Sequence, residues 1–177
     1  METLAAGSLV LEPLVVAHAE AMFELLSDPE IHRYLDHPPP PSIGHLRGVY
    51  GRLESRQSPD GRQRWLNWVL RSPAGSLLGY VQATVTERAD AWVAYILSRQ
   101  HWGGGHAAAA MQAMLEHLKT ANEVRRFLAT VEAENLRSIR LLERLGFHPA
   151  TALELDGQSL SESERLFVCQ PSDLPTE

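Results

Sequence analysis

Three consecutive glycines, Gly103-Gly104-Gly105, separate two stretches with different periods. Before them, residues 92–97 form a short apolar run with strand character. After them, Ala107, Ala110, Met114 and Leu118 recur along one face of a helix. A chain that turns from strand to helix through glycine brings its backbone to a helix start with no Cβ in the way. The free N–H groups there, at the positive end of the helix dipole, suit phosphate oxygens. The plainer alternative is a flexible turn ahead of a well-packed alanine helix.

Upstream, residues 9–13 read as a first strand. Residues 16–26 carry Met22, Leu25 and Leu26 at helical spacing, and Asp28-Pro29 starts a short helix through Tyr34. After the stiff run His37-Pro38-Pro39-Pro40-Pro41, Ser42 caps a predicted helix over 43–54. Residues 65–70, 79–86 and 92–97 then predict an antiparallel meander, with turns at 72–75 and 87–90. In its middle strand Val81, Ala83 and Val85 face one way. Residues 127–131 predict a buried strand. Asn135 then caps a helix through Leu145, with Ile139, Leu142 and Leu145 inward and Gly146 as a left-handed C-cap. Leu153-Glu154-Leu155, the turn Asp156-Gly157, and Leu166-Phe167-Val168 predict a final hairpin.

This organisation is one α/β domain over residues 1–177, with 44% hydrophobic and 21% charged residues. A formal charge of −6 disfavours nucleic acid and mildly favours a cationic substrate such as a protonated amine. The single Cys169 excludes an internal disulfide framework and a multi-cysteine zinc site, and no metal is expected. No apolar run approaches the roughly 20 residues that span a membrane. The N-terminus lacks a basic, then apolar, signal pattern. The expectation is a cytoplasmic protein without a membrane partner.

Two named phosphate loops compete for the glycines. A Walker-type loop needs Lys-Ser/Thr after the last glycine, where His106-Ala107 stands. A dinucleotide fingerprint is met by Gly103, Gly105 and Ala108, with Glu132 or Glu134 near the end of the next strand. That fingerprint follows the first strand of a parallel unit, and here it follows a meander. A nucleotide-dependent oxidoreductase is therefore the lesser alternative.

Gln100-x-x-Gly103-x-Gly105 resembles the Q/R-x-x-G-x-G/A signature of the GNAT N-acetyltransferase superfamily. Trp102-Gly103-Gly104-Gly105-His106-Ala107 resembles the version of its RimJ/RimL-like branch. Residues 135–147, Asn-Leu-Arg-Ser-Ile-Arg-Leu-Leu-Glu-Arg-Leu-Gly-Phe, resemble that branch's second motif, N-x-x-S-x-x-L-L-E-K-L-G-F. The resemblance covers nearly the whole chain. It implies the GNAT acyl-CoA N-acyltransferase fold: a mixed, mostly antiparallel sheet, splayed after the third meander strand, with helices on both faces. It also implies acetyl transfer from acetyl-CoA to a primary amine, a peptide N-terminus or a small molecule, by direct attack. A homodimer is compatible with it.

The resemblance assigns the pyrophosphate to backbone N–H groups of Gly103, Gly104, Gly105, His106 and Ala107, with Gln100 supporting the turn and Trp102 among the cofactor-binding residues. Backbone of Ile96, Leu97 and Arg99 would pair with the pantetheine arm, and an amide near Leu97 would polarise the thioester. Asn135 would meet the cofactor arm, although capping the helix explains it equally. Ser138 is the candidate proton donor to the leaving thiolate, against a plain packing role. Arg137, Arg140 and Arg144 share a helix face that either meets a coenzyme phosphate or is simply solvated. The chain departs from the branch at Ala109, where a Glu is usual, at Ala94, where a Gly is frequent, and at Leu142, where many relatives carry a tyrosine acid. The missing Glu and Tyr motivate a second alternative, a non-catalytic acyl-CoA sensor or scaffold.

No carboxylate lies within residues 92–97, and Glu87 and Asp90 flank a turn. A site without a strong base favours an acceptor of low pKa, such as a protein α-amine near 8, over lysine near 10.4. His32, His37 and His45 flank the proline run and read as surface histidines or as an acceptor wall. His101 brackets the glycines with His106. Cys169 reads as a buried structural thiol, and Trp65, Trp68 and Trp92 as core or cleft wall.

Overall fold

The computed structural model describes residues 1–121 and 124–175. Its strands are β1 (Leu4–Ala6), β2 (Leu9–Pro13), β3 (Gln63–Arg71), β4 (Leu77–Thr86), β5 (Asp90–Leu97), β6 (Arg126–Glu132), β7 (His148–Pro149) and β8 (Glu164–Cys169). Its α-helices are α1 (Ala19–Leu26), α2 (Ile43–Leu53), α3 (His106–Ala121), α4 (Leu136–Arg144) and α5 (Ala152–Leu155). The strands make one sheet in the order β1-β2-β3-β4-β5-β6-β8-β7. The β5–β6 pair is parallel, and the other neighbours run antiparallel.

The period-two pattern of each strand divides its residues between two faces. On one face Leu66, Trp68, Val81, Ala83, Val93 and Phe127 join Ala110, Met111, Met114 and Leu118 of α3, Leu141 and Leu142 of α4, and the α4 C-cap Leu145. On the other, Val69 and Ile96 meet Met22 and Leu26 of α1 and Leu46 and Tyr50 of α2. The sheet is therefore covered by helices on both sides, as the resemblance implied.

Local signals explain most element ends. Ser42 Oγ accepts the His45 amide at 3.1 Å and starts α2. Phe147 N–H donates to Leu142 O at 3.0 Å and Gly146 N–H to Glu143 O at 3.1 Å. These bonds, with Gly146 at φ +88°, are the Schellman ending of α4.

Four expectations change. Leu4–Ala6 adds a strand too short to show a period, turned back onto β2 at Gly7. The helix expected over 16–26 opens as a 3-10 turn, Val16–His18, before α1. The short helix after Asp28 is a 3-10 turn, Pro29–His32, and stops before Tyr34. The expected final hairpin is corrected: Leu153-Glu154-Leu155 lies in the one-turn helix α5. Thr151 and Glu154 form a reciprocal capping box there, which settles the backbone as helix. β8 lies instead between β6 and the two-residue β7, antiparallel to both.

Glu12 on β2 takes two hydrogen bonds from Arg71 on β3, at 2.6 and 2.8 Å. The bond from Arg71 holds the Glu12 carboxyl below the ordinary carboxylate range, against a smaller opposing effect of burial. A folded-state pKa below the unfolded one stabilises at neutral pH, and the stability is lost as acid carries pH down through the folded value. Glu12→Gln is expected to cost about 1 kcal/mol at pH 7. Thermal unfolding across pH should show its deficit against wild type closing below about pH 4.

Candidate active site

The parallel β5–β6 pairing spans only Asp90↔Arg126, Ala91↔Phe127 and Trp92↔Leu128. Beyond Trp92 the two strands part. β5 stays on β4 as far as Leu97, and β6 stays on β8 as far as Glu132. The gap between them opens at the C-terminal end of β5, where the chain enters the glycine loop. Gly79 of β4 lies opposite Leu97, and a Cβ there would stand 2.0 Å from the Ile96 carbonyl oxygen. Only glycine lets β4 approach β5 so closely at this point.

Strand alternation fixes which backbone groups face the gap. Ser98 N–H donates to Leu78 O at 2.8 Å, toward β4, and Leu97 O accepts from Trp102 Nε1 at 2.8 Å. Neighbouring residues of a strand point their N–H groups to opposite sides. The Leu97 amide thus points away from β4, into the gap.

At the loop, Gly103 and Gly105 hold φ +82° and +77°, and a Cβ on either would meet nothing within 4 Å. Among the described residues, no protein acceptor reaches the amides of Gly103 through Ala108; the first bond at this corner runs from Ala109 N–H to Gly105 O at 3.0 Å. These donors open α3, a helix of 16 residues. They form a backbone cradle suited to phosphate oxygens. The loop follows a strand deep in a mixed sheet rather than the first strand of a parallel unit, which argues against the dinucleotide fingerprint.

The opposite wall is α4. Asn135 Oδ1 accepts the Ser138 amide at 3.2 Å, so Asn135 is the N-cap. Ser138 Oγ stands 2.9 Å from Tyr95 Oη, across the gap from β5. The Arg137 guanidinium lies 3.9 Å from the centre of the Trp102 ring, tying α4 to the glycine loop. A cleft of about 600 Å³ runs between these walls. Ile96, Leu97, Trp102, Gly103, Gly105, His106, Ala107, Asn135 and Ser138 line it, with Tyr95, His101, Arg137 and Arg144. Glu30, Ile31, Arg33, Tyr34 and Leu35 close its far side.

Arg99 and Gln100 lie elsewhere. They line a second pocket of about 380 Å³ with Glu24, Leu25 and Asp28, and Arg99 Nε stands 3.4 Å from Asp28. Gly104 lines neither pocket. Asp90 is held by Arg126 at 2.7 and 3.1 Å at the start of β5. At about 3.3 Å per residue it is some 23 Å from Leu97, too far to serve there. Glu30 and Glu134 are the carboxylates that line the cleft; both are exposed, and no hydrogen bond or ion pair among the described residues fixes either side chain.

His32 departs from a surface reading. It is buried, with Nε2 at 2.8 Å from Leu26 O and Nδ1 at 3.1 Å from His37 O, so it pins the segment beside the cleft. His37 and His45 are exposed. Cys169 is fully buried, and burial pushes its thiol up to about 12, which suits a structural role. Trp68 is core, and Trp65 and Trp92 are half-buried.

Tyr95 is the cleft residue that sequence reading passed over. Its signal was its register: it shares a strand face with Leu97, two residues on. Leu142 is buried in the core.

The family profile described as the Acetyltransferase (GNAT) domain matches residues 8–148. A relative from Bacillus licheniformis, named uncharacterized N-acetyltransferase p20, is 28% identical over 149 residues, covering 83% of each chain. Mycobacterium smegmatis RimJ, solved in complex with CoA-disulfide, superposes with a TM-score of 0.80 at 24% identity, covering 99% of this chain and 90% of its own. Spermidine N-acetyltransferase from Vibrio cholerae, solved with CoA and spermine, superposes with a TM-score of 0.75 at 19% identity, covering 94% and 97%. Across the described residues no helix is long and apolar enough to cross a membrane. The profile match over most of the length, on a parted sheet with a glycine cradle at its mouth, makes this chain a member of the GNAT acetyltransferase family, an enzyme of acetyl transfer.

Proposed function

We propose that the chain transfers acetyl from acetyl-CoA to a primary amine by direct attack in a ternary complex, and that the amine is a protein α-amine or another amine of low pKa. The observation that carries the reading is the cradle of amides, Gly103 through Ala108, that meet no acceptor among the described residues, at the mouth of the β5–β6 gap. Acetyl-CoA supplies the activated acetyl carbon as a thioester. The cradle would hold its pyrophosphate, with Arg137 and Arg144 adding positive charge from α4. Tyr95 and Leu97, on the gap side of β5, would offer backbone groups to the pantetheine arm as a strand does at a sheet edge. The Leu97 amide, fixed before substrate arrives, would polarise the thioester oxygen; a donor of this kind is worth roughly 3 kcal/mol. Asn135 would position the arm, and Ser138 would protonate the departing sulfur.

The acceptor class rests on the bases within reach. Asp90 is consumed by Arg126, and the two cleft carboxylates are exposed and unfixed. Freeing a neutral amine at pH 7 costs roughly 1.4 kcal/mol for an α-amine and 4.6 for lysine. The test is thiol release from acetyl-CoA with peptides beginning Ser, Ala or Met, with polyamines, and with Nα-blocked lysine peptides at matched concentrations. Turnover on the α-amines at least about tenfold above the lysine peptides is expected. Equal turnover would remove the acceptor class, and no release with any amine would remove transfer itself.

A further inference from the structure

We infer that Tyr95, supplied from β5 rather than from α4, works with Ser138 as a paired proton donor to the sulfur that leaves in acetyl transfer. The inference rests on the proposed reaction and names the groups that complete it. The pair spans the gap: Tyr95 stands on the strand beside Leu97, Ser138 in the first turn of α4, and their oxygens are 2.9 Å apart. Each hydroxyl carries one proton. Their mutual hydrogen bond uses one of the two, and among the described residues no other acceptor meets either oxygen. The pair therefore presents one O–H donor to the cleft that both residues line. Leu142, on the same helix as Ser138, is buried in the core and has no proton to give.

The chemistry suits a phenol backed by a serine. The amine lone pair forms the new C–N bond to the acetyl carbon. The C–S bond breaks and its electron pair stays on sulfur. The Tyr95 O–H gives its proton to that sulfur, and the Ser138 O–H, donating along the 2.9 Å bond, holds the phenolate charge until it is reprotonated. Water then restores the pair, and the surplus proton on nitrogen leaves to solvent. A phenol near 10 and a thiol near 8.5 are close enough in acidity for the proton to be shared as the bond breaks. Burial raises Tyr95 above the ordinary phenol value, opposed by the Ser138 bond and by the Arg137 and Arg144 charges, so it stays protonated at working pH.

Tyr95→Phe keeps the ring in its packing and removes only the hydroxyl. In the full chain it should lower kcat on an α-amine peptide about 100-fold, while KM for acetyl-CoA moves less than about threefold and the unfolding midpoint stays within about 3 °C. Ser138→Ala should fall comparably, and the double variant should be little worse than either, as for groups acting as a unit. Independent losses that multiply would overturn the pairing. A second readout needs no turnover: ultraviolet titration of the thiol of CoA bound to the protein. A donor to sulfur favours the thiolate, so the bound thiol should ionise about one pH unit lower in wild type than in Tyr95→Phe. Identical titrations would overturn the proposal even if transfer stands. Wild type that binds CoA but acetylates no amine would sink the transfer reading, and the titration alone would then decide the pair. Failure of wild type to bind CoA would overturn both.

Discussion

Replacing both positive-φ glycines of the loop, Gly103→Ala with Gly105→Ala, is expected to weaken acetyl-CoA binding about 1,000-fold while leaving a folded protein. Both residues sit in the left-handed region, at φ +82° and +77°. An alanine there is strained by roughly 1–2 kcal/mol and tends to pull the backbone away. Neither Cβ would touch protein within 4 Å, so the added atoms project into open space at the cradle. The loss therefore falls on the amides facing the ligand rather than on the core. Two hydrogen bonds to a charged phosphate, at roughly 2 kcal/mol each, give the stated factor. Isothermal calorimetry with acetyl-CoA reads it directly, with circular dichroism as the check on folding. Affinity within tenfold of wild type would mean that the pyrophosphate is held elsewhere.

The largest expected loss of stability comes from Gly146→Val. Gly146 closes α4 at φ +88°, a region that a β-branched residue hardly enters. Its Cβ would also stand 2.3 Å from the Asp173 carbonyl oxygen, which is backbone and cannot rotate aside. Strain and overlap together should cost about 4 kcal/mol, near 10 °C in the unfolding midpoint for a chain of this size. Because α4 carries Asn135, Arg137 and Ser138 into the cleft, acetyl-CoA affinity should fall as well. Gly146→Ala, which shares the overlap but lacks the branch, should lie between. A midpoint within about 3 °C of wild type for the valine variant would show that the C-terminal segment shifts freely, and that α4 does not depend on this ending.

Most of the helices and meander strands were legible because their signals are local. Ser42 and Asn135 are caps that act over one turn, and Gly146 is a terminator that acts over one residue. The alternation of Val81, Ala83 and Val85 repeats every two residues. The elements misread are those whose local signal is short or divided. Leu4–Ala6 has no room for a period, and Leu153-Glu154-Leu155 alternates like a strand while its capping box makes it a helix turn. The site was partly legible for the same reason. Backbone cradles depend on glycines and a helix start, which can be read in order along the chain. Side-chain partners cannot. Nothing near Tyr95 in the sequence points to Ser138, 43 residues away. Nor does the sequence near Asp90 show that Arg126 occupies it.

By itself, the sequence determined where this chain must turn from strand to helix, which backbone there is bare, and that the two stretches flanking the cleft belong together as one family's signature. Only the tertiary structure decided that β5 and β6 pair for three residues and then separate, that the separation brings a strand phenol to a helix serine, and that Arg99 turns instead to Asp28. The physical reason is range: caps, turns and periods act within a few residues, whereas the place at which two strands part is set by everything packed on both faces of the sheet.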